Sequence, residues 1–236
     1  MDIDELRRIA AKEELSLNYV AKDVMLSRAL KFLEGFDDII LKGGTAINRS
    51  YIKNKRFSED IDMDIIFKGR AKQALTRTNQ IIKGFKGFDI AKPRIMKGMI
   101  RYDLFFMNPL DHKDKIRLEF KPVDKAKNYS KKVVNFGFVP HDSSLLNVYD
   151  IKEMIKHKSD CILNRLEGKD FFDLFYLIGL EHEHERLDKV KLLERINLEK
   201  DEIKAAANVV NHYIPRTKRP NWSQFLEKFK KKIKDY

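Results

Sequence analysis

The chain has 236 residues, of which 43% are hydrophobic and 36% charged, with a net charge of +12 and a single cysteine, Cys161. That length and apolar content suit one large or two small globular domains with a real core, and they exclude a disordered chain. The positive charge favours an anionic partner, nucleic acid first, while the lone cysteine rules out an internal disulfide and fits a reducing cytoplasm. The first residues, Met1 to Arg8, are too charged for a secretory leader, and no apolar run approaches the length of a bilayer. A soluble, cytoplasmic protein is the expectation.

Residues 1 to about 35 read as helix, with Leu17, Val20, Val24, Leu26, Leu30 and Leu33 recurring every three or four positions and Ser16 placed to cap. Ile39, Ile40 and Leu41 form a short strand that ends at Gly43, followed by a short helix from Thr45 to about Tyr51. A strand from Asp60 to Phe67 and a polar helix from Ala71 to Ile82 come next. Two strands, Ile100 to Met107 and Lys115 to Lys121, flank a polar loop with Asn108, Pro109 and Asp111. A further strand from Lys132 to Phe138 closes at Pro140. From about Ser144 the pattern is helical only, which divides the chain into 1–145 and 146–236. The expected fold is α/β (α+β), a mixed sheet with helices followed by a helical C-terminal domain.

The chemistry concentrates in two stretches. Gly43-Gly44 after an apolar strand makes a turn whose backbone N–H groups can approach a phosphate, since no Cβ intervenes. In the next strand Asp60, Asp62 and Asp64 share one face, and Ile61, Met63 and Ile65 the other. Three carboxylates on one face repel each other unless a cation neutralises them, and hard oxygen ligands at that spacing suit Mg²⁺. A glycine phosphate turn feeding an aspartate metal strand is the layout of a nucleotidyl-transfer site; the competing reading is a solvated edge strand. In the strand Ile116–Phe120 the apolar residues alternate with Arg117, Glu119 and Lys121. Glu119 is a candidate third acid or one half of a cross-strand ion pair, with Asp103 as the competing acid.

Lys42-Gly43-Gly44-Thr45-Ala46, then Arg56-Phe57-Ser58-Glu59-Asp60-Ile61-Asp62, resembles the first motif of the AbiEii/AbiGii-type nucleotidyltransferase toxins, within the DNA polymerase β-like nucleotidyltransferase superfamily. The resemblance implies a polymerase β-like core, NTP as substrate and two Mg²⁺ ions on Asp60, Asp62 and a third acid, here Glu119. Lys42, Gly43, Gly44, Thr45 and Ser58 then fall at the nucleotide. It also implies the toxin of a toxin–antitoxin or phage-defence system, with a cognate antitoxin as partner and tRNA 3′ ends as a known acceptor class. Thr45 stands where the wider superfamily commonly has serine.

In the helical half, Ile151, Met154, Ile155 and Ile162 form an apolar stripe with Lys158 at its centre and Arg165 at its edge. A buried ammonium needs an anion, and Asp170 and Asp173, on an aromatic-rich helix after Gly168, need cations; Lys158, Arg165 and Lys169 are at hand. This Lys…Arg…Asp-x-x-Asp-Leu pattern resembles the C-terminal motif of the same family, with Lys169 where an arginine often stands. There the lysine contacts nucleotide phosphates and the aspartates organise the site, so Lys158 and Asp173 become catalytic candidates, and Arg165 and Asp170 nucleotide-binding ones. A salt-bridge network locking two helices is the alternative.

His182-Glu183-His184-Glu185 lacks the spacing of a helical zinc site, and Cys161 reads as core. The segment Trp222–Tyr236 places Trp222, Phe225, Phe229 and Ile233 on one face. Its Lys228, Lys230, Lys231, Lys232 and Lys234 are available to an RNA backbone. Two rivals remain: a protein-modifying nucleotidyltransferase or phosphotransferase on the same fold, and a catalytically silent nucleic-acid-binding module.

Overall fold

The computed structural model describes residues 3–108, 111–138, 143–165, 167–180, 187–198 and 200–236. The chain forms two compact units, Met1–Tyr149 and Asp150–Tyr236.

The first unit opens with helices α1 (Ile3–Glu13) and α2 (Leu17–Leu33), and the Ser16 hydroxyl caps α2 by accepting from the Tyr19 N–H. Strand β1 (Ile39–Lys42) leads into a short helix α3 (Gly43–Ala46), which continues as one π-helical turn, Ile47–Tyr51. Strand β2 (Asp60–Ile66) and helix α4 (Ala71–Ile82) follow. The remaining strands are β3 (Asp89–Ile90), β4 (Arg94–Met96), β5 (Met99–Met107), β6 (Lys113–Val123), β7 (Tyr129–Asn135) and β8 (Ser143–Tyr149).

These strands make one mixed sheet in the order β3-β5-β6-β2-β1-β8-β7, with β4 also paired to β5. Strand β2 sits between antiparallel β1 and parallel β6, and β8 runs parallel to β1. The period of two decides which face is dry. Ile61, Met63 and Ile65 of β2, Leu118 and Phe120 of β6, and Ile100, Tyr102 and Leu104 of β5 are buried, as are Leu26, Leu30 and Leu33 of α2. Tyr102 keeps its hydroxyl in that core because Thr78 and Asn79 of α4 satisfy it at 2.8 and 2.7 Å.

Three strands differ from the sequence expectation. β3 and β4 are two and three residues long, too short for alternation to register. β8 lies past residue 145, so the helices begin at Ile151 rather than near Ser144. Its pattern, Ser-Ser-Leu-Leu-Asn-Val-Tyr, puts two leucines side by side and thereby hides the alternation; Leu145 is exposed while Leu146 is buried. Pro109 and Pro140, read as loop and strand closure, lie outside the described residues.

A buried ion pair ties this unit together. Arg49, in the π-helical turn, donates to the Asp23 carboxylate at 2.7 Å, to the Ser27 hydroxyl at 2.9 Å and to the Asn135 carbonyl at 3.3 Å. The Phe138 N–H donates to the other Asp23 oxygen at 2.7 Å. The group thus joins α2, the turn after the glycines and the end of β7.

The second unit is helical: α5 (Ile151–Asn164), α6 (Gly168–Ile178), α7 (Lys189–Leu198), α8 (Lys200–Val210) and α9 (Trp222–Asp235). Gly168 lets α6 start against α8, because a Cβ there would lie 2.3 Å from the Ala206 carbonyl oxygen. Helix α9 packs its aromatic face on α6, with Phe225 and Phe229 buried and Phe175 4.7 Å from Phe225 between ring centroids. Among the described residues no helix is long and apolar enough to cross a membrane.

Replacing Arg49 by Met strands a buried carboxylate. We expect Arg49→Met to cost roughly 3–5 kcal/mol of stability, measured by urea unfolding. A loss below about 1 kcal/mol, the level of an exposed pair, would show that the tie carries no weight.

Candidate active site

Strand β2 brings its acids to the face opposite the core, and its neighbours decide what each acid meets. Lys42 of β1 and Glu119 of β6 are the register partners of Asp62, while Arg117 of β6 is that of Asp60. One strand further, Arg101 of β5 stands opposite Glu119 and Asp103 opposite Arg117. Residues aligned across a sheet share a face, so Lys42, Asp62, Glu119 and Arg101 form one row, and Asp60, Arg117 and Asp103 the next.

The three aspartates of β2 have different settings. Asp64 is buried: the Lys42 ammonium pairs with one of its oxygens, and the Tyr149 hydroxyl donates to the other at 2.6 Å. It is therefore a structural acid that also fixes Lys42, which was expected at the nucleotide. Asp60 accepts from Arg117 Nε at 3.0 Å. Burial alone would lower the Arg117 pKa, but Asp60 beside it, with Glu119 and Glu59, raises it.

Gly43 adopts a positive φ of 70°, and a Cβ on it would lie 2.2 Å from an Asp62 carboxylate oxygen. The glycine is what permits the turn to sit on Asp62. A Cβ on Gly44 would lie 2.5 Å from the Arg56 guanidinium and 3.0 Å from Ser58 Oγ. Gly43, Gly44, Ser58 and Asp62 are thus brought together. Thr45 is fully buried and its hydroxyl donates to the Asp60 carbonyl, so it locks the turn onto β2.

The two candidate third acids have different neighbours. Glu119 stands next to Asp62, and Arg101 holds it at 2.7 Å through Nε and 2.6 Å through the terminal nitrogen. Asp103 lies a strand away, paired with Arg94 and Lys115. Among the described residues no group of three or more acidic, histidine or cysteine side chains is placed to hold a metal ion by itself. The open pair Asp60 and Asp62 still fits Mg²⁺, which takes one or two carboxylates and fills its shell with phosphate oxygens and water.

In the second unit, Lys158 of α5 bridges both aspartates of α6, at 2.7 Å to Asp170 and 2.9 Å to Asp173, and all three are buried. Arg165 adds a bond from Nε to Asp170 at 2.9 Å while staying half exposed. Lys169, considered as a further partner, instead lies over the Tyr213 ring at 5.1 Å. Burial would raise the Asp170 pKa, but Lys158 and Arg165 overcome it and hold the group below its ordinary 3.8. Cys161 is half-buried beside this group, and burial, then Asp170, push its thiol up.

The lysine run of α9 is partly used by the fold. Lys232 donates to the Phe175 carbonyl at 2.8 Å and lies 4.2 Å from that ring's centroid, and burial lowers its pKa. Lys230 pairs with Glu227 at 3.2 Å. Lys228, Lys231 and Lys234 are exposed. His182, Glu183, His184 and Glu185 lie outside the described residues.

Sequence reading passed over Arg101 and Tyr149. Alternation in β5 carried a signal for Arg101, since burying Ile100, Tyr102 and Leu104 forces it onto the acid face. Tyr149 had none, because its strand was not recognised.

The Lys158 centre yields two measurable consequences of one cause. Lys158→Met leaves two buried carboxylates without their shared cation and should cost roughly 3–5 kcal/mol; from the sequence alone the same change would be expected to hold or raise the melting temperature. Asp170 has a lowered folded-state pKa, so its stabilisation is complete above 3.8 and lost as pH falls through the folded value. Melting followed down to pH 2 should fall less steeply in Asp170→Asn than in wild type. Parallel curves would remove Asp170 as the acid-sensitive group.

Comparison with known proteins bears on the fold and the family. MenT4, a nucleotidyltransferase toxin from Mycobacterium tuberculosis, superposes with a TM-score of 0.67 at 16% identity, covering 100% of this chain and 90% of that one. JHP933 from Helicobacter pylori gives 0.63 at 20% identity over 93% and 92% of the two chains. An antigenic nucleotidyltransferase-like protein from Paracoccidioides brasiliensis gives 0.52 at 17% identity over 87% and 98%. At these identities the likeness is one of fold. No curated protein matches the chain significantly. The model of the nucleotidyl transferase AbiEii toxin family matches residues 24–235. With glycine turn, acid strand and helical unit all inside that span, the chain belongs to the AbiEii nucleotidyltransferase toxins of type IV toxin–antitoxin systems.

Proposed function

We propose that this nucleotidyltransferase moves an NMP from an NTP to an RNA hydroxyl, a tRNA 3′ end by family resemblance, with Mg²⁺ held by Asp60, Asp62 and Glu119. The observation that carries the reading is Gly43, whose missing Cβ brings the phosphate-type turn against the Asp62 carboxylate. The acceptor oxygen bonds to the α-phosphorus, the α–β anhydride bond breaks, pyrophosphate leaves and the hydroxyl proton passes to water. Two Mg²⁺ ions would supply a lowered pKa for the acceptor hydroxyl and charge compensation for the leaving pyrophosphate.

The chain's own groups do the rest. Backbone N–H groups at Gly43 and Gly44, with the Ser58 hydroxyl, bind phosphate oxygens. Thr45 holds the turn to β2, and Lys42, fixed by Asp64, adds positive charge beside Asp62. In the second unit the resemblance implies Lys158 as a phosphate contact, while its burial between Asp170 and Asp173 favours the alternative, a salt-bridge network locking two helices.

The net charge of +12 supports RNA as the acceptor, and a cognate antitoxin is the partner that a type IV system implies. Transfer of label from each NTP is measured on total RNA and on protein in a cell extract, with and without ribonuclease. We expect RNA labelling that needs Mg²⁺ and falls on the order of a thousandfold in Asp60→Asn or Asp62→Asn, several kcal/mol of transition-state stabilisation. Label that survives on protein with none on RNA would establish the protein-modifying rival, and undiminished turnover in Asp60→Asn would end the metal assignment.

Binding to RNA should weaken log-linearly with salt, by about 0.7 per phosphate contact on single strands and 0.9 on duplex. Lys228→Glu, Lys231→Glu and Lys234→Glu together should flatten that slope. Lys232 is left intact because the fold uses it. An unchanged slope would place the RNA elsewhere.

A further inference from the structure

We propose that Arg101 and Arg117 are exchangeable counter-ions: they compete with a divalent cation for Glu119 and Asp60 and, once displaced, bind the triphosphate of the nucleotide. The inference rests on the reading of Asp60, Asp62 and Glu119 as cation ligands, and it assigns roles to two residues outside the glycine and aspartate motifs.

Asp62 and Glu119 stand opposite each other on neighbouring strands, so two like charges meet at the centre of the polar face. Each end of that acid group is closed by a guanidinium, Arg117 on Asp60 at 3.0 Å and Arg101 on Glu119 at 2.6 Å. The two bonds draw on oxygens that a metal would need. A guanidinium cannot deprotonate to make way, so it must move. Both side chains have room to do so, Arg117 being 40% and Arg101 21% exposed. What they would meet next is set by chemistry: planar, multiply donating guanidiniums pair well with phosphate oxygens. Arg94, Lys115 and Lys121 lie on the same face and prolong the positive strip, Arg94 being the register partner of Arg101 and Lys121 that of Asp64.

A fixed structural role predicts otherwise. If the two arginines only stitched strands, removing either would lower melting and leave cation affinity unchanged. A counter-ion role predicts that cation affinity rises when the competing charge is removed, while nucleotide affinity falls.

The test uses the full chain, with Mn²⁺ read by electron paramagnetic resonance and a nucleoside α,β-methylene triphosphate as a nucleotide that cannot react. Arg101→Gln and Arg117→Gln should each bind Mn²⁺ alone about tenfold more tightly than wild type, a single-charge effect of ordinary size. Both should bind the analogue about tenfold more weakly, with Arg117→Lys intermediate. Mn²⁺ affinity that is equal or lower in both variants overturns the inference while leaving Asp60 and Asp62 as ligands. Absence of saturable Mn²⁺ binding in wild type, with and without the analogue, overturns both. Should either variant unfold, Arg101→Met and Arg117→Met carry the same comparison, because they remove the charge and keep an unbranched apolar stem.

Discussion

Everything on the working face follows from putting carboxylates in the middle of a sheet. Strand β2 has neighbours on both sides, so Asp60, Asp62 and Asp64 lie beside the side chains of β1 and β6. Charges fixed in that way must be matched by fixed opposite charges or by a mobile cation. The chain supplies fixed partners for three of its acids. Lys42 and Tyr149 lock Asp64, Arg117 meets Asp60, and Arg101 meets Glu119. Asp62 is pressed against Gly43, whose missing Cβ leaves room for its carboxylate.

The second unit solves a similar problem by burial. One lysine and two aspartates leave water together, and a half-exposed arginine completes the set. Such a group is costly to assemble and more costly to break, which makes it a register device: α5 and α6 have one alignment in which Lys158 reaches Asp170 and Asp173 at once. Apolar stripes alone tolerate sliding by a turn; this group does not.

Much of this was legible in the chain. The period of two in Asp60–Ile65 gave both the strand and its polar face, because the apolar partners Ile61, Met63 and Ile65 were uninterrupted. The cap at Ser16 and the glycine turn were readable for the same reason, being local. What escaped was non-local. Whether Lys42 serves a nucleotide or Asp64 depends on Tyr149, more than eighty residues away by the numbering, and on a strand whose paired leucines blurred its period. Lys158 looked like a cation awaiting an anion, and spacing could not tell a ligand's phosphate from Asp170 and Asp173. The lysines of α9 looked equivalent, but Lys232 sits over Phe175 because the helix face turns it inward.

Strand order carries a consequence for how the molecule is made. β1 pairs on one side with β2, whose residues follow within two dozen positions, and on the other with β8, the last strand of the unit. The Tyr149 hydroxyl that completes the setting of Asp64 arrives with that same last strand. A ribosome delivers the N-terminal part first, so a growing chain carries its acids and glycine turn well before it can finish the sheet around them. The polar face of β2 is therefore completed only when translation of the whole first unit is complete.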